Sequence, residues 1–252
     1  MTIPEWKSGR LRVLRGFFWS QFKINMAAMT ESEILDLVYS MYESDQDTWA
    51  ATSDEYLTAR RYCKAAILRW EHEPGVLWPE LYKRLSSAAD GDKTTNDSDY
   101  TYTCPSDMRL PPHGDDQSPD YVWLNDTPYI VVPVSKVQQL KTSQDNWCYF
   151  TGNQKDGFTL NFNPNLTIAA GLTISYDYYK QATYFTTTTS TTEMENPMYI
   201  VHYVLSRFYK NDGLSGESTQ EIQIAEQMIE QMKENSFVVI DDELSDNAGF
   251  GR

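Results

Sequence analysis

The side chains most often used as metal ligands or nucleophiles are few and scattered in this chain. The cysteines are Cys63, Cys104 and Cys148, an odd number with no close pair. A structural zinc site needs closely spaced Cys or His ligands, and a disulfide framework needs paired cysteines. The sequence therefore predicts no metal, no cofactor and no disulfide framework, as is typical of a chain that folds in a reducing compartment.

The three histidines fall in different predicted elements, so they indicate no shared site. His72 stands between two glutamates at a predicted helix end, where an imidazole interacts favourably with the helix dipole. His202 lies in the middle of a predicted helix, where a partly buried, hydrogen-bonded histidine is the ordinary outcome. His113 lies in a polar connection.

Sequence motifs for hydrolysis or nucleotide binding are also missing. The chain contains no Gly-x-Ser-x-Gly, no His-Glu-x-x-His and no glycine-rich dinucleotide turn. Residues 91–94 resemble a fragment of a phosphate-binding loop, but the upstream glycine and apolar strand are lacking. Asp115 and Asp116 are adjacent acids of the kind that usually face solvent, whereas a glycosidase needs two carboxylates about 5–10 Å apart across a cleft. We predict that the protein is not an enzyme; an acid-based hydrolase stays open as an alternative.

Aromatic residues are abundant, with 17 Tyr, 7 Trp and 10 Phe. Three pairs at alternating positions line predicted strand faces: Tyr100 and Tyr102, Tyr121 and Trp123, Tyr176 and Tyr178. We interpret these as core and sheet surface. A protein interface, where Tyr and Trp are enriched, and a carbohydrate platform are the functional alternatives.

The charge is strongly acidic, with a net charge of −15 and a pI near 4.5. Residues 1–23 carry five basic side chains against one acidic, so the acidic excess lies in the rest of the chain. Such a body has few cations with which to bind a nucleic-acid backbone. No apolar run approaches the ~20 residues that span a bilayer, so we expect an unexported protein with no membrane partner.

The two ends differ from the body in composition. Residues 1–29 form a basic arm that is too apolar for a solvated tail, and residues 237–252 form an acidic tail that begins with a β-prone apolar run. A translation start at Met26 or Met29 is also open, because a helix signal follows directly. An extended apolar segment of four residues cannot bury itself, so both ends are predicted to dock on the body or on partner chains. The candidate docking residues are Arg10, Arg12, Arg15, Phe17, Phe18, Trp19, Phe237, Val238, Val239 and Ile240.

Capping signals and apolar stripes predict two helical hairpins, over residues 30–88 and 193–236. Capping boxes begin at Thr30, Thr52 and Ser218, each with Glu three residues later. Asn196-Pro197 supplies a further helix start, with asparagine as N-cap and proline in the first turn. Helices joined by short connections normally pack as antiparallel neighbours.

Residues 89–192 are predicted to form a β insert between these hairpins. Short alternating runs are separated by Pro, Asp and Asn. The clearest hairpin pairs residues 147–151 with residues 158–162, and the loop that joins them begins at Gly152 and ends at Gly157. The run Leu172 to Tyr179 alternates as a strand with one buried face. The Thr-rich stretch 186–192 is predicted to be a strand end or rim loop.

The predicted fold is therefore α+β: an antiparallel helical bundle of two helical hairpins with an inserted small antiparallel β domain, sandwich-like or barrel-like. An extended N-terminal arm and a C-terminal tail complete it.

The order of these elements resembles one family, the head–tail connector (adaptor or neck) proteins of tailed bacteriophages, especially the short-tailed type. The resemblance lies in Thr30-Glu-Ser-Glu-Ile-Leu, the helix Ala59 to Trp70, the strand Leu172 to Tyr179, and Asn196-Pro-Met-Tyr-Ile-Val. It covers roughly residues 30–235.

The resemblance implies a structural virion protein at the head–tail interface, assembled in the host cytoplasm. It implies a homo-oligomeric ring, commonly of twelve subunits, that bridges the portal protein to tail, nozzle or other neck proteins. DNA would pass through its channel without sequence-specific binding. The alternative function is a carbohydrate- or receptor-binding module of the virion that uses aromatics of the β insert.

Overall fold

The computed structural model describes residues 28–43, 49–85, 91–112 and 120–236. Its helices are α1 (Glu31–Glu43), α2 (Asp54–Glu71), α3 (Met198–Asn211) and α4 (Ser215–Asn235). Its strands are β1 (Tyr82–Leu85), β2 (Thr101–Thr103), β3 (Met108–Leu110), β4 (Tyr121–Leu124), β5 (Thr127–Val131), β6 (Trp147–Asn153), β7 (Gly157–Phe162) and β8 (Ile174–Lys180). Within this part of the chain, no helix combines the length and apolar character that a bilayer crossing requires.

Helix α3 is the centre of the helical layer. Nine of its residues are buried, including every position from Tyr199 to Ser206. The other three helices pack on it: α1 through Ile34 and Val38, and α4 through the narrow seam that includes Ala225 and Ile229. The predicted α3–α4 hairpin is confirmed. The predicted α1–α2 hairpin is wrong, because each of these helices packs mainly on α3 rather than on the other.

The helix starts show which capping signals the fold uses. The hydroxyl of Thr30 accepts from the backbone N–H of Glu33, and the Glu33 carboxylate accepts from the N–H of Thr30, which confirms the first capping box. At α2 the cap is Ser53, whose Oγ accepts from the N–H of Tyr56, and not the predicted Thr52. Helix α4 begins at Ser215, so the box predicted at Ser218 is wrong.

All eight strands join one sheet in the order β1-β8-β4-β5-β6-β7-β2, with β3 also paired to β8. The sheet is mixed: β5 and β6 run parallel, with Ile130 opposite Trp147, and the other pairs are antiparallel. The predicted β6–β7 hairpin is confirmed. Its turn requires glycine, because Gly152 has φ +101° and a Cβ there would lie 2.1 Å from the carbonyl oxygen of Gly157.

The sheet curls around its own core. Each of the eight strands contributes a side chain to one apolar cluster, among them Leu85 from β1, Leu160 from β7 and Tyr176 from β8. A flat sheet could not bring both of its end strands to the same cluster, whereas a curled half-barrel can. The helices and the chain segments beside them enclose a second cluster, which includes Trp70 and Trp78.

The predicted fold of a helical bundle with a small inserted antiparallel β domain is therefore wrong. The protein is α+β, with four helices beside a curled, eight-stranded mixed sheet that makes up much of the structure. Residues 79–85, inside the predicted first helical hairpin (30–88), form a 3-10 turn and then β1, which brings a strand from that segment into the sheet. Residues 134–136, inside the predicted β insert (89–192), form a 3-10 turn on the connection that lets β6 run parallel to β5. Alternation reveals the buried face of a strand but not the direction of its neighbour.

Candidate functional site

The histidines and cysteines singled out in the sequence occupy structural positions. His72 caps the end of α2, with Nδ1 3.0 Å from the carbonyl oxygen of Leu68, and His202 Nδ1 lies 2.6 Å from Glu221 Oε2. Cys63, Cys104 and Cys148 are buried and unbridged. Burial raises the pKa of each thiol, that of Cys104 to about 11, so the reactive thiolate form is disfavoured. His113 lies outside the described residues, as do Asp115 and Asp116.

The other described residues that the sequence singled out do not form a shared site either. Among the described residues, no three His, Cys, Asp or Glu side chains come together in a way that could hold a metal ion. The segment resembling a phosphate loop is a connection bonded to strands: the Asp92 carboxylate accepts from the N–H of Thr103, and Thr94 bridges Thr173. Of the predicted strand-face aromatics, Tyr102, Tyr176 and Tyr178 are buried in the sheet core, and Tyr121 is exposed.

The candidate docking residues belong to segments that the structure does not describe. Arg10, Arg12, Arg15, Phe17, Phe18 and Trp19 lie outside the described residues, as do Phe237, Val238, Val239 and Ile240. The described body, in contrast, has surfaces on which a terminal segment or a partner chain could dock.

A buried polar cluster joins the helical layer to the sheet. The Arg109 guanidinium on β3 donates to the backbone carbonyl of Glu71 at the end of α2, and the Tyr184 hydroxyl donates to Glu71 Oε2 at 3.0 Å. Burial lowers the pKa of Arg109, and the nearby Glu71 carboxylate opposes that shift. Burial and the same carboxylate raise the pKa of Tyr184. Glu71 Oε1 and Arg109 Nε face each other without a hydrogen-bond partner among the described residues, but the hydrogen bonds that Arg109 and Tyr184 donate to Glu71 stay within the cluster and connect the two layers.

The outward side of α2 carries a surface that we call the α2 stripe, formed by Leu57, Arg61, Lys64 and Leu68. These residues follow one another at helical spacing, and all are exposed, Leu57 to 40% and Leu68 to 37%. Beside Leu57 the stripe borders an open depression of about 330 Å³, which Arg60 and Phe185 also line. The stripe is thus apolar at both ends and basic in the middle, on a protein whose net charge is −15.

The outward side of α4 has the opposite character. Over the whole of this helix, which the structure describes in full, the exposed charged residues are Glu217, Glu230 and Glu234, with no exposed lysine or arginine. The exposed residues between them are mainly glutamines. We call this surface the α4 acidic face. From Glu217 to Glu234 it extends for about 26 Å at the helical rise of about 1.5 Å per residue.

A third surface lies on the outside of the sheet, and we call it the sheet depression. It is an open concavity of about 560 Å³. Strand register places Tyr121 beside Ile130 and Ile130 beside Trp147, so three apolar or aromatic side chains cross three adjacent strands. The polar side chains at its border are Gln144, Asp145 and Asn146.

The α2 stripe was not identified from the sequence. The missed signal was the pair of leucines at residues 57 and 68, which continue the row of Arg61 and Lys64 at helical spacing. The Glu71–Arg109 pair had no sequence signal, because its partners lie on different elements. Compared with models of known protein families and with curated protein sequences, the chain matches none of them.

Proposed function

We propose that this protein is a structural virion component that forms a ring at a phage head–tail junction, bridges the portal protein to the tail, and lets DNA pass through its channel. The observation that carries the proposal is the α4 acidic face. Its exposed charged side chains are all carboxylates, Glu217 near one end and Glu230 and Glu234 near the other, with mainly glutamines between them, so the surface offers DNA phosphates no exposed cation. Such a wall lets a genome slide past, because the one lysine of α4, Lys233, is paired with Glu73 and Glu230 and is not free to replace the counterions of the phosphates.

The rest of the body is compatible with this role. The reactive residue types in the described part of the chain are used in caps, ion pairs and core packing rather than gathered in a cleft. The sheet depression and the basic N-terminal arm offer neighbouring molecules two surfaces of different character. When two different surfaces of identical copies bind each other, the copies form a closed ring if the rotation from one copy to the next adds up to a full turn.

Electron microscopy and native mass spectrometry of the full chain, alone and with a candidate portal protein, test the proposal. We expect a ring, or an oligomer that becomes a ring on the portal. A protein that stays monomeric at assembly concentrations and does not bind the portal would contradict the connector function.

Charge variants test the channel wall separately. We expect Glu217→Lys with Glu234→Lys to assemble normally but to slow DNA ejection, because cations on the wall would hold phosphates. The matched control is Asp36→Lys with Asp97→Lys, which makes the same change in net charge at exposed acids away from α4. Equal ejection rates in the two variants would show that the α4 acidic face does not line the channel.

A glycan-binding or receptor-binding module is the second candidate function, favoured by the sheet depression. There, exposed Tyr121 and Ile130 lie beside amide and carboxylate side chains, a combination that suits the apolar faces and hydroxyls of a sugar. A glycan array with the wild-type chain and Tyr121→Ala tests it. Binding that the variant loses would support this candidate, and an array without binding would remove it.

A further inference from the structure

The α2 stripe has cations without anionic partners among the described residues. Helix α2 has four basic side chains; Arg60 pairs with Glu31, and Arg69 pairs with Glu226. Arg61 and Lys64 are exposed and pair with no carboxylate of the described part of the chain. In the same row, Leu57 and Leu68 are exposed leucines. Lys64 Nζ lies over the ring of Tyr184, 5.1 Å from its centroid, a contact that leaves its charge without a carboxylate partner within the ranges that the structure describes. A row of exposed leucines and such cations on an acidic protein is complementary to an acidic, apolar segment.

Helix α4 ends near the C-terminal end of α2. Lys233 Nζ, in the last turn of α4, lies 2.6 Å from Glu73 Oε1, two residues beyond α2, and two turns earlier Glu226 pairs with Arg69. The tail follows Ser236, just beyond this contact, so its first residues would turn back to reach Leu68, the stripe residue nearest to Glu73 in the sequence.

The order of side chains in the tail matches their order along the stripe. Starting from the tail's exit, the stripe presents Leu68, then the cations Lys64 and Arg61, and then Leu57 beside Phe185. The tail presents an apolar run (237–240), then three acids (241–243), and then Leu244. Apolar groups would meet apolar groups, and carboxylates would meet cations.

The dimensions agree as well. Leu68 and Leu57 are eleven positions apart, which is about 16 Å along a helix. Residues 239–244 in an extended conformation span about 17 Å. Residues 239–244 are therefore long enough to cover the stripe from Leu68 to the depression at Leu57.

We infer that residues 237–246 dock along the α2 stripe of their own chain, with the apolar run on Leu68, the acids 241–243 on Lys64 and Arg61, and Leu244 in the depression beside Leu57 and Phe185. This inference does not depend on the connector function. A tail donated by a neighbouring copy is the competing occupant, and the experiment below separates the two.

Disulfide trapping in the full chain tests the docking. Lys64→Cys with Asp242→Cys is oxidised under mild conditions; the native cysteines are buried and do not compete. We expect a disulfide within one chain, seen as an unchanged chain mass with faster migration on a non-reducing gel. The matched control is Lys210→Cys with Asp242→Cys, which moves the first cysteine to an exposed lysine at the end of α3, where α4 begins.

Three outcomes are distinguishable. A disulfide within one chain that forms much faster than in the control supports the inference. Disulfide-linked dimers of the Lys64→Cys, Asp242→Cys variant would overturn it in favour of a neighbouring copy's tail. Trapping no faster than in the control would overturn docking on the stripe altogether. None of these outcomes decides whether the protein forms a ring, so the connector proposal fails or stands separately.

Charge reversal tests the electrostatic part. In the trapping variant, we expect Arg61→Glu to slow disulfide formation several-fold and the addition of Asp241→Lys to restore it. Equal rates in all three proteins would overturn the assigned pairing of acids and cations.

Discussion

The side chains of Glu71 and Arg109 face each other where the helical layer meets the sheet, with Glu71 Oε1 and Arg109 Nε 4.0 Å apart. Glu71 is fully buried, and the side chain of Arg109 is 9% exposed. Because one lies at the end of α2 and the other on β3, their interaction requires both layers to be in place. The pair therefore fixes how the two layers sit together.

Removing one partner should destabilise the protein strongly. We expect Arg109→Met to lower the free energy of unfolding by about 3–5 kcal/mol, because it leaves the Glu71 carboxylate buried without its cation. Adding Glu71→Gln should recover much of the loss, since no uncompensated charge remains. Urea denaturation of the single and double variants measures both effects.

The partly exposed pair Lys83–Asp107 provides the control for that experiment. Its side chains are 37% and 33% exposed and their charged atoms are 2.6 Å apart. Breaking it with Lys83→Met should cost only ~0–1 kcal/mol, because water solvates the remaining carboxylate. Equal losses for Arg109→Met and Lys83→Met would show that burial does not govern the Glu71–Arg109 pair.

The start of α2 distinguishes two neighbouring hydroxyl residues. Ser53→Ala should destabilise the protein by about 1 kcal/mol, because the N–H of Tyr56 loses its acceptor. Thr52→Ala, one residue earlier and exposed, should change stability by less than about 0.5 kcal/mol. Thermal unfolding of both variants measures the difference. The reverse ranking would assign the cap to Thr52.

These two residues also show how far the sequence could predict the fold. The pattern at residues 52–55 located the helix start to within one residue, because a capping signal is local. Which hydroxyl turns toward the backbone depends on the path of the preceding loop, which the pattern does not contain. The same limit applies to Ser218, whose hydroxyl donates to the carbonyl of Ser206 on α3 instead of capping α4.

Sheet pairing and surface chemistry were less predictable for a different reason. Strand β1 has only Leu85 buried, so it shows no alternation, and it is a strand because it pairs with β8. The parallel β5–β6 pair depends on the route of residues 132–146. The α2 stripe was predictable in part, since helical spacing alone places Arg61 and Lys64 away from the buried face.

The three cysteines should be unreactive in the folded protein. Burial raises the pKa of each thiol, that of Cys104 to about 11, and also blocks access by reagents. At pH 8 we expect a thiol-specific dye to label none of them within minutes and all three after unfolding. Lys210→Cys is the positive control, because it adds one exposed thiol that should react at once. Rapid labelling of the wild-type chain would contradict the burial of at least one cysteine.

Glu193 should make stability depend on pH in the acidic range. Burial by itself raises the pKa of its carboxyl, but hydrogen bonds from Lys180 and Thr183 together outweigh burial and hold the pKa below its ordinary value of 4.5. A pKa lowered by folding adds stability that is fully present above about pH 4.5 and is lost as the pH falls through the folded-state pKa. At pH 7, Glu193→Gln should therefore be less stable than wild type by about 1–3 kcal/mol, the usual range for hydrogen bonds to a charged group. That difference should shrink as the pH is lowered from 4.5 toward 3, whereas Glu217→Gln, at an exposed position, should follow the wild-type profile. A difference between Glu193→Gln and wild type that stays constant over this range would show that the Glu193 carboxylate does not carry the effect.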